Sequence, residues 1–201
     1  MSKKSTKEVT IIHTDEEAAR IALAKFLRSG CQERWFEFRS PEPDPVDNCL
    51  CWHEYKTLTG TISASIRYPL LAAMFAQPFS YPKILALRLF GARIHRSAYL
   101  SPQVFIDPLF PSLLTIEEGA LVGLGVRIAM HEHAGNRFRA GRVRIGRGAT
   151  IGAETIIAAG VHIGEYAQIA LGSVVHRDVP PHTVALGNPA RIVRRDSSSD
   201  V

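Results

Sequence analysis

The sequence predicts a mainly β chain: a parallel β-helix of six-residue repeats behind an N-terminal helical region. Three observations carry that expectation. Aliphatic residues fall on every sixth position from Ile145 through Ile151, Ile157, Ile163 and Ile169 to Val175. Two positions before each sits a small or branched residue: Val143, Ala149, Thr155, Val161, Ala167 and Ser173. The first 90 residues lack this period and carry helix signals instead. A period of six is neither the 3.6 of a helix nor the 2 of a plain strand. It fits a triangular coil in which each hexad makes one flat face and one corner.

Taken in order, Thr14-Asp-Glu-Glu17 reads as a capping box opening a helix through Ala18, Ile21, Ala22, Lys25 and Phe26, with Gly30 as its C-terminal cap. Pro41-Glu-Pro-Asp-Pro45 reads as a stiff loop, because three prolines in five residues cannot lie inside a helix. A second helix is expected over 62–76 and a short one over 82–90. The β-helical domain is expected over 91–195, the helical and irregular region over 1–90, and a tail over 196–201.

Within the β-helix, three hexads complete a turn, so residues eighteen apart stack: Ile145 with Ile163, Ile151 with Ile169, Ile157 with Val175. The same spacing runs through Ile94, Leu100 and Ile106, then Ile116, Val122 and Ile128. From Ile94 to about Pro180 there is room for roughly five coils. The register breaks twice, between Ile106 and Ile116 and between Ile128 and Ile145. Insertions in a rigid solenoid loop outward, and loops on rigid scaffolds carry function. The second one, 132–144, holds Asn136, Arg137, Arg139, Arg142 and Arg144, and a histidine pair, His131 and His133, sits at its start.

Composition narrows the function. The chain has 201 residues, 46 % of them hydrophobic, and a net charge of +5. No apolar stretch is long and uncharged enough to span a membrane. No apolar run follows the basic N-terminus at once, so no signal peptide is expected. Three cysteines, Cys31, Cys49 and Cys51, make no disulfide framework, and the cytosol is the expected compartment. A charge of +5 without a basic run interleaved with aromatics gives no reason to expect nucleic acid. The cations are 18 Arg and only six Lys, a balance that suits forked contacts to phosphate or carboxylate. Five of the Arg lie between 132 and 147 and four between 177 and 195, which points to small anionic ligands.

The hexads, the histidine before the inserted loop, and the ending Val175-His-Arg-Asp-Val-Pro-Pro-His-Thr-Val-Ala-Leu-Gly-Asn-Pro-Ala-Arg-Ile-Val-Arg194 together resemble the hexapeptide-repeat acyltransferases. The likeness is to sugar O-acetyltransferases of the galactoside, maltose, nodulation and polysaccharide-biosynthesis type, over about residues 91–195. It implies a left-handed β-helix, a homotrimer with a site in each cleft between neighbouring helices, acetyl-CoA as co-substrate without a metal, and a sugar or saccharide acceptor. It also implies a histidine general base. That histidine is His131 in Ile128-Ala-Met-His-Glu-His133, with His133 as the competing assignment and Glu132 as a residue that orients the imidazole or merely belongs to the loop. An imidazole titrating near neutrality suits the task, because a sugar hydroxyl must lose its proton as it attacks a thioester.

By motif position the resemblance assigns the coenzyme to Ala153, Leu171, Gly172, Ser173, His176, Arg177, Arg191 and Arg194. Leu171 stands where the family has a small residue and His176 where it has a hydroxyl. Asn136 and Arg137 are offered to the acceptor. Asp107 is offered either to the acceptor or to the turn before Pro108. Three other readings stand beside this one. One is an amino-sugar or antibiotic acetyltransferase of the same fold, and another is a scaffold without activity. The third is a γ-class carbonic anhydrase, which needs three zinc-binding histidines. For that enzyme His95 and His131 lie two nominal coils apart, but the third position would be Asn136.

Overall fold

The computed structural model describes residues 10–13, 16–28, 31, 33–39 and 58–193. Thr14 and Asp15 of the capping box, Gly30, the Pro41–Pro45 loop, Cys49, Cys51, Arg194 and the tail lie outside the described residues.

The hexads build three parallel sheets that form the faces of a triangular prism. Sheet I contains β3 (Arg93–Ile94), β6 (Leu114–Ile116), β11 (Val143–Ile145) and β14 (His162–Ile163). Sheet II contains β4 (Tyr99–Leu100), β7 (Leu121–Val122), β12 (Thr150–Ile151), β15 (Gln168–Ile169) and β17 (Val184–Leu186). The antiparallel β18 (Arg191–Val193) completes it. Sheet III contains β5 (Phe105–Ile106), β8 (Arg127–Ile128), β13 (Ile156–Ile157) and β16 (Val174–Val175). The expected stacking pairs are the observed register partners: Ile145 with Ile163, Ile151 with Ile169, Ile157 with Val175. The described residues make four complete coils and the start of a fifth.

Each hexad's aliphatic residue points inward because a strand alternates its side chains. The small residue two positions earlier turns the corner, where a larger group would strike the neighbouring coil. Ala120, Ala149, Thr155, Val161 and Ala167 are all buried there. Ser173 belongs to the same set. Its hydroxyl donates to the Ala170 carbonyl at 2.7 Å and accepts from the Gly187 N–H at 3.2 Å.

Two helices close the first coil. They are α2 (Leu58–Ala76) and α3 (Ser80–Leu89), and each extends the expected span by two to four residues toward its N-terminus. A solenoid's terminal coil presents unpaired backbone groups, which another element must satisfy. The Ser80 hydroxyl accepts the Leu100 N–H at 2.9 Å, and the Phe75 carbonyl accepts the Gln103 N–H at 3.1 Å. The buried Lys83 donates to the Ser101 carbonyl at 2.6 Å and to the Gln77 carbonyl at 3.1 Å. Burial pushes its ammonium below the usual lysine value.

The first 90 residues also contain strands that the helical and irregular reading does not include. β1 (Thr10–His13) runs parallel to β2 (Trp35–Arg39), with α1 (Glu16–Leu27) crossing between them. The second insertion is a hairpin of β9 (His131–Ala134) and β10 (Arg137–Gly141), and β2 pairs antiparallel with β10. Gly135, at φ +58, takes the first of its two loop positions. The result is a four-stranded sheet in the order β1-β2-β10-β9 beside the prism. Ala19, Leu23 and Phe26 form the buried stripe of α1, while Ile21 is exposed. Phe26, Phe36 and Phe138 fill the space beneath, with ring centroids 6.0 and 6.3 Å apart.

Candidate active site

Both register breaks leave the prism at the same corner, where sheet III turns toward sheet I. Ile106 and Ile128 are partners in adjacent coils, so the residues that follow them meet although far apart in sequence. Asp107 follows Ile106, and its carboxylate is only 4 % exposed. One oxygen accepts the Leu109 N–H at 2.9 Å. The other accepts the Met130 N–H at 3.2 Å and a hydrogen bond from Nδ1 of His131. Asp107 therefore caps the turn before Pro108, as one of its two sequence readings has it, and also holds the imidazole. Both oxygens are engaged away from solvent, which leaves none to bind an acceptor.

A carboxylate that also receives two backbone N–H groups must accept from the imidazole. In the neutral imidazole the proton then sits on Nδ1 and the lone pair on Nε2. Two aromatic rings fix the plane: Phe110 stands edge-on at 5.4 Å and Phe138 lies nearly parallel at 6.1 Å. Phe110 and Phe138 are buried, while the His131 side chain keeps 27 % of its surface open. An imidazole held in this way has the chemistry to accept a proton at Nε2.

His133 lies two residues along β9 and is exposed; no carboxylate contact is described for it. Glu132 points to the opposite face of β9 from His131, because neighbours on a strand alternate. It pairs there with Arg139 at 3.1 Å, so it does not orient the imidazole. Arg139 also reaches Glu37 at 3.3 Å and lies over the Trp35 ring at 4.1 Å. Arg142 donates to the carbonyls of Glu33 and Phe26, and Arg144 pairs with Glu117. Three of the arginines that the sequence reading offered to anionic ligands thus have partners within the protein: Arg139 ties the hairpin to β2, Arg142 ties the chain after the hairpin to the N-terminal region, and Arg144 braces two coils of the prism. Burial lowers the Arg142 guanidinium from its ordinary value. Asn136 lies at the hairpin tip and Arg137 opposite Arg39.

The coenzyme candidates fall into two groups. His176, Arg177 and Arg191 line one cleft of about 480 Å³ at the C-terminal end of the prism, together with Pro189 and Ala190. Ala153, Leu171 and Gly172 share the corner between sheets II and III, where the Gly172 N–H bonds the Ala153 carbonyl at 2.8 Å. Leu171 is 78 % exposed. Ser173 faces inward at 0 % exposure, so its hydroxyl is unavailable to a ligand; this overturns its assignment as a coenzyme contact. His131 stands on a different corner from Ala153, Leu171 and Gly172.

His95 lies at the corner between sheets I and II, with Nδ1 2.7 Å from the Ser97 hydroxyl. It does not share an edge with His131, so the pair expected of a carbonic anhydrase does not converge. Among the described residues no group of three or more His, Cys, Asp or Glu side chains is placed to hold a metal ion.

The Asp107–His131 contact follows from both insertions leaving one residue beyond stacked positions, a signal present in the spacing. The clamp from the N-terminal region carries no comparable signal. Arg34 donates from Nε to the Gly160 carbonyl at 2.7 Å and pairs through two nitrogens with Asp178.

No protein-family model matches the chain. YvoF of Bacillus subtilis (strain 168), which is named as an acetyltransferase, is 30 % identical over 157 residues, covering 77 % of this chain and 91 % of that protein. The dTDP-3-amino-3,6-dideoxy-alpha-D-galactopyranose 3-N-acetyltransferase of Aneurinibacillus thermoaerophilus is 56 % identical over a shorter stretch of 52 residues, 26 % of this chain and 27 % of that one. Among solved structures, the hexapeptide-repeat acetyltransferase VCA0836 from Vibrio cholerae O1 biovar eltor, complexed with acetyl-coenzyme A, superposes with a TM-score of 0.57 at 21 % identity. The match covers 69 % of this chain and 90 % of that one. The shared fold is the left-handed β-helix, and the chain belongs to the hexapeptide-repeat acetyltransferases.

Proposed function

We propose that this enzyme transfers the acetyl group of acetyl-CoA to a hydroxyl of a sugar or saccharide, with His131 as general base and Asp107 as its positioning partner. The observation that carries the reading is the Asp107–His131 hydrogen bond on a half-open imidazole. Nε2 takes the proton of the acceptor hydroxyl as its oxygen attacks the thioester carbonyl carbon. The tetrahedral adduct collapses, the C–S bond breaks, and the imidazolium returns the proton to the departing thiolate. Asp107 stabilises the imidazolium in between. Hydroxyls depend on such a base more than amines do, which favours oxygen as the acceptor atom.

The division of candidates between two corners supports a homotrimer, in which one copy's His131 faces a second copy's Ala153, Leu171 and Gly172. Arg177 and Arg191 suit the coenzyme's phosphates, since a guanidinium fork matches phosphate oxygens. Arg194 belongs to the same proposal. His133 stays as the alternative base, and Asn136 and Arg137 as acceptor contacts. The cytoplasm as location completes the reading.

A second reading, an amino-sugar N-acetyltransferase, is favoured by the locally similar relative that acts on an amino sugar nucleotide. Thiol release from acetyl-CoA across a panel of sugars, nucleotide sugars and their amino counterparts tests both. Release with hydroxyl acceptors supports the first reading. Release with amino acceptors alone replaces it with the second, and release with none overturns both.

A further inference from the structure

We propose that the outer face of α2 and α3 docks on the surface of an anionic lipid bilayer. The two helices turn one side to the first coil and leave large apolar side chains on the other exposed among the described residues. On α3 the inner side is Lys83, Ile84, Ala86 and Leu87. The outer side is Tyr81, Leu85 and Leu89, one helical turn apart, and exposed by 69, 48 and 78 %. On α2, Ile62, Ile66 and Leu70 repeat the pattern, while Leu71 and Phe75 are buried. Phe79, in the link between the helices, is also exposed. Exposed large apolar side chains clustered on one surface mark an interaction site.

Charge selects the occupant. From Lys56 to Ile106 the chain carries six Lys and Arg and no Asp or Glu. Lys83 turns its charge inward to backbone carbonyls and Arg88 gives two of its N–H groups to the Ile94 carbonyl, but the side chains of Arg88, Arg93 and Arg96 are exposed around the base of α3. The carboxylates across the adjoining cleft, Glu117 and Glu118, belong to the second coil, and Glu117 is taken up by Arg144. A second copy of the same face would set these arginines against one another. A bilayer with anionic headgroups accepts both the apolar side chains and the cations that border them. Tyr81, with its apolar ring and polar hydroxyl, suits the headgroup level. No described helix is long and apolar enough to cross a membrane, so the face would lie on the surface.

The test is co-sedimentation of the full chain with vesicles of phosphatidylcholine, with and without phosphatidylserine. The protein is expected to sediment with the phosphatidylserine vesicles and to be released by raised salt. The double variant Leu85→Glu/Leu89→Glu should bind at least about tenfold more weakly while keeping its circular dichroism and thiol-release activity. Arg93→Glu/Arg96→Glu, on the first coil rather than the helices, should lose the preference for phosphatidylserine even where the helix variant fails to fold. The proposal is overturned if wild type ignores the vesicles or if both variants bind like wild type. It is also overturned if the helix variant changes only the protein's own sedimentation size, since the face would then be a protein contact.

Discussion

Replacing Asp107 by Asn isolates what the buried carboxylate does. The side chain keeps its volume but loses an acceptor. The Asp107 carboxylate receives three donors, the N–H groups of Leu109 and Met130 and Nδ1 of His131. An amide has one acceptor oxygen, so in either orientation at least one of those donors faces an NH2 group. With NH2 toward His131, the imidazole must move its proton to Nε2, and the nitrogen facing the ligand is no longer a base. With oxygen toward His131, the Leu109 N–H is buried against a donor and the imidazolium still loses its charged partner. A charge-assisted hydrogen bond contributes about 1.5–3 kcal/mol, and the wrong tautomer adds to that. Each tenfold in rate corresponds to about 1.4 kcal/mol. The loss in kcat is therefore expected to be about 10²- to 10⁴-fold, with KM for acetyl-CoA nearly unchanged and stability lower by about 1–3 kcal/mol. Steady-state thiol release gives kcat and KM, and a thermal melt gives stability. A well-folded Asp107→Asn enzyme with kcat within about threefold of wild type refutes the positioning role.

The remaining predictions concern the clamp and the coil. Gly160 sits at φ +71 with the Trp35 ring where a Cβ would go, so Gly160→Ala should displace Trp35, destabilise by about 1–3 kcal/mol and raise amide exchange in β2 and β10. Arg34→Ala removes a partly buried guanidinium from the Gly160 carbonyl and from the half-exposed Asp178, and should cost about 1–2 kcal/mol after screening, read by chemical denaturation. Ile151 is wholly buried in its column, and Ile151→Ala should cost about 2–5 kcal/mol in the same measurement. Burial, and then the nearby Arg34, hold the His162 imidazole below its ordinary 6.5, so the unfolded chain binds that proton first. His162 should therefore cost stability as pH falls from about 6.5, and His162→Gln should flatten that slope in melts run across the range.

What the sequence disclosed follows the range of its interactions. The inward columns of the coil were legible because each residue's partner lies a fixed distance along the chain, as with Ile151 and Ile169. The corner residues were legible as small, but not as inward or outward, which is why Ser173 read as a coenzyme contact and is buried. His131 stood out by its place beside an insertion, and Asp107 stood out less because an Asp before Pro has a sufficient local use in its turn. The strands β1 and β2 left no readable trace. The partner of β2 is a hairpin about a hundred residues later, and the cations that fix it, Arg139 and Arg142, look like ligand-binding arginines until Trp35, Glu37 and the Phe26 carbonyl are seen against them.

The role proposed for His131 as general base is decided by thiol release from acetyl-CoA, with a productive acceptor at saturation, in His131→Ala beside His133→Ala. The expected kcat is lower by about 10²-fold or more in His131→Ala and within a few-fold of wild type in His133→Ala. Full activity in His131→Ala, or a loss confined to His133→Ala, contradicts it.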